Sequence, residues 1–323
     1  MTEPDARLPT LDHRDRRAGL ILFGIALIVI GAISALLAVM LLAGPLALPG
    51  AVAGAGPPPA RALVPGVVTY GALAVMFVWL GAGSILTRRW APPLILTTAW
   101  LWLISGLIGT ALVAALLPSA FALVESQSDP MPDELRTALT VTLVSVTGVV
   151  LILLPLALIL FYRSRHVQAT CDARDPVPRW TDGRPLALIG VSVSLALMAA
   201  SLLPAVLVYN GVTPAFGVVL TGMSGVVLNL ALMAVWAYCA WGLLRGDLRA
   251  WWAAVISMTV ASASAAVTFA RIDSRDMLEV MGVAPAQFPP EWTPGATTMM
   301  ALVVAVWLSV IACLVSVKRH VRR

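Results

Sequence analysis

Eight long apolar stretches divide this 323-residue sequence, and they constrain its fold more than any other feature. A helix that rises 1.5 Å per residue needs about 20 apolar residues to cross the ~30 Å hydrocarbon core of a bilayer. The stretches run over residues 18–43, 63–87, 92–117, 138–162, 185–208, 213–244, 248–270 and 297–317. We therefore predict an all-α integral membrane protein with eight transmembrane helices, the first of them retained rather than cleaved as a signal peptide.

The composition excludes an ordinary soluble domain. Hydrophobic residues make up 60% of the chain and charged residues only 11%, whereas soluble domains carry about 25% charged residues. A soluble fold of this size could not bury so large an apolar excess, because its surface must stay polar. The lipid bilayer is therefore the first predicted partner.

The basic residues predict the orientation. Lys and Arg gather in cytoplasmic loops, and with an inside N-terminus 17 of the 21 fall on that side. We expect both termini in the cytoplasm, and the alanine-rich composition favours a bacterial inner membrane. The net charge of +5 then reflects insertion and the attraction of anionic lipid rather than nucleic-acid binding.

Similar segments recur in the two halves of the chain, which predicts two tandem four-helix repeats. Gly71–Gly83 resembles Leu230–Gly242, and each is followed by a short turn with arginine and tryptophan. The halves exit through similar motifs, SRHV at 164–167 and KRHV at 318–321. Apolar helices also resemble one another by chance, but the agreement of turns and exits favours a duplication. Because four is even, the repeats would run parallel, as in some transporters.

This organisation gives five predicted regions. They are a cytoplasmic tail (1–17), a first membrane repeat (18–162), a cytoplasmic loop (163–184), a second membrane repeat (185–317) and a basic cytoplasmic tail (318–323).

The predicted spans contain no well-buried ionisable residue, which argues against several functions. Proton relays, voltage sensors and carboxylate-coupled transporters place such groups inside the membrane. The histidines, His13, His166 and His320, all fall in predicted cytoplasmic segments, which disfavours an intramembrane haem or zinc site. We predict no catalytic site, no cofactor and no metal, and therefore no enzyme.

Asn229 is the most polar residue well inside a predicted span, and Tyr70 is its counterpart in the first repeat. The two could line a substrate pocket between the halves. Alternatively, Asn229 makes an ordinary interhelical hydrogen bond worth about 0.6–2 kcal/mol, which is the favoured interpretation.

The seventh span carries a stripe of small, weakly polar residues at helical spacing. The stripe consists of Ser257, Ala261, Ser264 and Thr268. It could line an aqueous path, but close helix packing is the favoured interpretation.

The leading functional hypothesis is a non-catalytic accessory or scaffold subunit that contacts other membrane subunits, with homo-oligomerisation left open. Docking would use the cytoplasmic loop, whose candidate residues are Arg174, Asp175, Arg179, Trp180 and Asp182. The alternative is a transporter or channel for a small neutral or apolar solute, with its site near Tyr70 and Asn229.

Overall fold

The computed structural model describes residues 15–47, 60–127, 132–272, 276, 279–280 and 296–321. Most of these residues are helical, and seven helices are long and apolar enough to cross a membrane. The predicted class, a helical membrane protein, is confirmed at this level. Most of the predicted N-terminal tail lies outside the described residues.

The first half of the chain forms long helices that follow the first four apolar stretches. They are α1 (Arg17–Ala47), α2 (Ala60–Ile85), α3 (Ala91–Gln127), α4 (Asp133–Gly148) and α5 (Leu154–Tyr162). A π-helical segment, Val149–Leu153, joins α4 to α5, so that Asp133–Tyr162 is one continuous span. Asp133 and Glu134 occupy its first turn, where acidic side chains favour a helix N-terminus.

A short helix, α6 (Arg165–Arg174), leads into the second half. The elements that follow are α7 (Leu186–Ser201), α8 (Leu203–Leu207), β1 (Thr213–Ala215), β2 (Val218–Leu220), α9 (Gly222–Leu244), α10 (Leu248–Arg271) and α11 (Ala296–Val317). A 3₁₀ turn, Lys318–His320, follows α11. We call the end of the bundle formed by residues 86–90, 163–185, 245–249 and 318–321 the basic end.

The predicted sixth span is wrong at its start. Thr213–Ala215 and Val218–Leu220 pair as an antiparallel hairpin, and the helix begins only at Gly222. The apolar sequence of this hairpin hides it, because valine and leucine suit a strand as well as a membrane helix. Its turn places Phe216 and Gly217 at positive φ, which ends any helical continuation.

The eighth predicted stretch is helical, since α11 covers it. This helix is not among the seven candidate spans found in the described residues. An eighth crossing therefore stays a prediction.

Glycines bring helices into close contact in the first half. Gly24 on α1 faces Gly81 on α2, and a Cβ added to Gly24 would lie 2.9 Å from the Gly81 carbonyl oxygen. Small residues let helix backbones approach in this way, which gains dispersion contacts where lipid supplies no hydrophobic drive. In the same half α3 packs on α5. In the second half α7 packs on α9, and α10 packs on α11.

The turns at the basic ends of α2 and α9 have the same hydrogen bonds. Arg88 N–H donates to the Gly83 carbonyl (2.9 Å) and Thr87 N–H to Ser84 (2.9 Å). The corresponding bonds in the second half are Asp247 to Gly242 (3.0 Å) and Gly246 to Leu243 (2.8 Å). Both turns are Schellman motifs, and their left-handed residues, Thr87 and Gly246, have φ of 52° and 75°. Each of these residues in the second turn lies the same number of sequence positions after its counterpart in the first turn.

The π-helical segment results from Pro155. Proline has no N–H to give the Leu151 carbonyl four residues earlier, and Leu154 N–H instead bonds to Val149, five residues back. The displaced Leu151 carbonyl lies against Gly106 on α3, where any Cβ would overlap it. The glycine thus covers a backbone oxygen that would otherwise face lipid.

We expect Gly106→Ala to lower the free energy of unfolding by about 1–3 kcal/mol, because the added methyl group must push α3 away from Leu151. Denaturing-detergent titration of the purified protein measures this change. Gly109→Ala is the matched control one turn along α3, since its nearest neighbour would be a flexible leucine methyl at 3.8 Å. Equal effects of the two substitutions would contradict the packing described.

Candidate functional site

Asp175 is the centre of a polar cluster at the basic end. Its side chain is only 3% exposed, and it accepts bonds from Arg179 Nε (3.2 Å) and Nη2 (3.0 Å). The backbone N–H of Arg89 donates a third bond at 3.3 Å. The Arg179 bonds, followed by the Arg89 amide, hold the pKa of the Asp175 carboxyl below its ordinary value although burial opposes them.

Arg89 ties the turn between α2 and α3 to the same cluster. Its Nε lies 2.8 Å from Asp172 Oδ1 on α6, and its Nη2 lies 3.4 Å from Asp182 Oδ2. Asp182 Oδ2 also accepts the Arg179 N–H at 3.0 Å. We call the six residues of this network the polar cap: Arg88, Arg89, Asp172, Asp175, Arg179 and Asp182.

The start of α1 is held to the same region. Arg16 N–H donates to Thr170 Oγ1 at 3.2 Å, and Arg174 Nη2 lies 2.9 Å from Asp15 Oδ2. Segments far apart in the chain are therefore joined through α6, which fixes the predicted loop against the helix ends.

A cavity of about 340 Å³ opens beside the polar cap. Its apolar lining comes from the first turns of α3 and α7 and from the end of α5: Pro92, Pro93, Leu96, Tyr162 and Leu186. Its polar lining comes from Arg89, Gln168, Asp172, Thr181, Asp182 and Arg184. Thr181 is 4% exposed, and its hydroxyl has no hydrogen-bond partner among the described residues.

Cys171 also lines the cavity, and burial raises the pKa of its thiol to about 12. The thiol is therefore neutral at physiological pH and a poor nucleophile. In the described part of the chain, no group of three or more His, Cys, Asp or Glu side chains is placed to hold a metal ion.

The predicted docking residues divide into two groups. Asp175, Arg179 and Asp182 bond within the polar cap, whereas Trp180 remains 47% exposed and Arg174 is exposed beside Asp15. Sequence reasoning missed Arg88 and Arg89, because they come from the distant turn after α2, and it missed Asp172, which joins the cap only through Arg89.

Asn229 is buried and holds the hairpin. Its amide donates to Thr213 Oγ1 and, at 3.5 Å, to the Gly211 carbonyl oxygen. Tyr70 is 37% exposed on α2, and no hydrogen bond joins it to Asn229 within the described residues. The geometry favours the structural interpretation of Asn229, while a substrate pair at these positions stays a prediction.

The predicted stripe on α10 also binds the hairpin. Phe216 N–H donates to Ser264 Oγ (2.9 Å), and Gly217 N–H donates to Thr268 Oγ1 (3.0 Å). Ser264 precedes Arg271, the last residue of α10, by about 10 Å of helix at 1.5 Å per residue. The two hydroxyls therefore satisfy backbone amides of the hairpin within the last two turns of α10, before the helix ends.

No protein-family model, curated protein or solved structure matches this chain.

We expect Asp175→Asn to lower the free energy of unfolding by about 2 kcal/mol, because it weakens charge-assisted bonds to a buried group. Denaturing-detergent titration measures the change. Asp172→Asn is the control on the neighbouring helix: its side chain is 57% exposed, and an exposed pair contributes under about 1 kcal/mol. Equal losses of the free energy of unfolding in the two variants would contradict a larger contribution from Asp175 than from Asp172.

The same carboxylate predicts a pH dependence. Because its pKa is lowered in the folded state, its contribution is present above the unfolded pKa of about 3.9 and is lost as pH falls through the folded value. The difference between wild type and Asp175→Asn should therefore be constant near neutrality and vanish in strong acid.

We expect Asn229→Leu to destabilise the protein by about 0.6–2 kcal/mol, because Thr213 and Gly211 lose their shared donor. Tyr70→Phe is the matched control at the corresponding position of the first half and should leave stability unchanged. Thermal unfolding in detergent compares the two variants. A stable Asn229→Leu protein would contradict the structural role.

Proposed function

We propose that this chain is a non-catalytic integral membrane protein, an accessory or scaffold subunit that docks other membrane subunits through the outer surface of its polar cap. The observation that carries the proposal is the exposed Trp180 on a segment that ion pairs hold in place.

The segment offers a preformed contact surface. Trp180 and Val177 are both exposed, although the ion pair between the buried Asp175 and the half-buried Arg179 holds the backbone around Val177 and just before Trp180. Exposed apolar groups on an ordered polar segment are typical of interaction sites, and tryptophan and arginine are enriched where binding energy concentrates. Arg174, at the end of α6, is also exposed, and it is ion-paired with Asp15.

The proposed architecture has eight spans in two parallel repeats. The matched turns after α2 and α9 support it, as does the shared contact of Gly83 with Ala91 and of Gly242 with Ala250. The exit turns also agree, since Val167 N–H bonds to Ser164 and Val321 N–H bonds to Lys318.

With eight spans both termini lie on one side, and we propose that this side is the cytoplasmic face of the inner membrane, because the basic residues gather there. We expect epitope tags at the N- and C-termini to be protected from protease in intact spheroplasts and cleaved after lysis. A tag inserted after Gln127, the last residue of α3, serves as the external control. Cleavage of only one terminal tag in intact cells would favour seven spans.

The docking proposal is tested by extracting the protein from native membranes and sizing the particle. We expect stoichiometric partners that are lost on Trp180→Ala with no change in thermal stability. Trp241→Ala, in the other half, is the matched control, because both tryptophans are exposed and each lies against a guanidinium group. Arg184 lies 6.0 Å from the Trp180 ring, and Arg245 lies 3.7 Å from the Trp241 ring. A protein that purifies alone would contradict the proposal.

A second candidate is a transporter for a small neutral solute. It is favoured by Thr97 on α3 and Ser192 on α7, helices that pack together, whose buried hydroxyls have no partner among the described residues. Such hydroxyls could form hydrogen bonds with a solute that crosses the membrane between the halves. Solute flux by the protein alone in liposomes would favour this candidate over the scaffold.

A further inference from the structure

The cavity beside the polar cap has a chemical character that the scaffold proposal does not use. It lies where α3 and α7 begin and α5 ends, at the level where lipid headgroups meet the helix ends of a membrane protein. Its lining is partly apolar and partly charged. Its volume of about 340 Å³ is in the range of small-molecule sites.

The charges that line the cavity balance. Arg89 and Arg184 line it together with Asp172 and Asp182, and the buried thiol of Cys171 is neutral. A purely anionic ligand would meet the carboxylates, and a purely cationic ligand would meet the guanidinium groups. Electrostatic complementarity therefore favours a ligand that carries both charges.

The anion-binding side is formed by Arg184, Thr181 and the N-terminus of α7. Arg184 donates to the Trp180 carbonyl and, within the described residues, pairs with no carboxylate. The unpartnered Thr181 hydroxyl is buried at the same side of the cavity. Pro185, the N-cap of α7, provides no side-chain cap, so the first amides of α7 and their dipole suit a phosphate group.

The cation-binding side is formed by the two carboxylates. Asp172 uses Oδ1 for Arg89, and Asp182 uses Oδ2 for Arg89 and Arg179. In the described structure the second oxygen of each remains free to accept a bond. A primary ammonium group, with three donors, matches these acceptors.

We propose that this cavity binds a zwitterionic phosphoethanolamine headgroup, with its phosphate on Arg184 and Thr181 and its ammonium on Asp172 and Asp182. The chemistry is shared by a phospholipid and by a soluble phosphoamine. The apolar lining residues and the position at the helix ends favour the lipid.

Native mass spectrometry of the full-length protein in detergent tests the proposal with three dioleoyl lipids added separately. We expect one phosphatidylethanolamine to bind at least tenfold more tightly than phosphatidylglycerol, which lacks the ammonium, or phosphatidylcholine, whose quaternary ammonium has no N–H donor. Equal or tighter binding of phosphatidylglycerol would overturn the proposal.

Two variants test the named residues. Thr181→Val and Arg184→Gln should each weaken phosphatidylethanolamine binding about fivefold to tenfold, while Arg163→Gln, an exposed arginine at the same end, should leave it unchanged. Thr181→Val removes an unpartnered hydroxyl, so the delipidated variant should remain as stable as wild type. Unchanged binding by both variants would overturn the assignment.

A competition arm separates the two sources. Free O-phosphoethanolamine should displace the lipid only at concentrations at least a hundredfold above those of the lipid, because it has no acyl chains to contact the apolar lining residues. Displacement at equal concentration would overturn the assignment to a phospholipid and would assign the cavity to a soluble phosphoamine.

Discussion

The fold depends on one constraint: inside a bilayer, backbone N–H and C=O groups have no water to bond with. Helices satisfy the constraint on their own, and this chain is mostly helix. At two places where the described part of the chain leaves helical geometry, side chains or close neighbours bond to or cover the backbone groups. Asn229, Ser264 and Thr268 bond to the hairpin of β1 and β2. Gly106 covers the carbonyl that Pro155 displaces from the helix ladder.

Sequence reasoning predicted the membrane class and the positions of most helices, because a run of about 20 apolar residues has few other folded forms. It missed the hairpin, since TPAFGVVL at 213–220 is as apolar as a span, and periodicity cannot separate the two. It singled out Asn229 correctly as an outlier, but the partner of that side chain, Thr213, became evident only once the strand was located. The partners of Asp175 were equally hidden, because Arg88 and Arg89 are far away in sequence.

The polar cap gives the basic end its definite shape. Charged side chains from the turn after α2, from α6 and from the following segment neutralise one another around Asp175. The consequence is an ion-paired surface on which Trp180 is exposed, with a cavity of balanced charge beside it. The docking and headgroup proposals use neighbouring parts of this one structure, which meet where the Arg184 guanidinium lies 6.0 Å from the Trp180 ring. The partners that co-purify test the first proposal, and lipid binding tests the second.

Hydrogen exchange of the protein in nanodiscs, followed residue by residue, tests the central claim that side chains satisfy the non-helical backbone. The amides of Phe216 and Gly217 donate to α10 hydroxyls, so the account predicts exchange as slow as that of amides in the middle of α9. The Ser264→Ala and Thr268→Val variants should speed exchange at these two amides and leave α9 unchanged. Exchange at the rate of an unstructured loop in the wild-type protein would contradict the account.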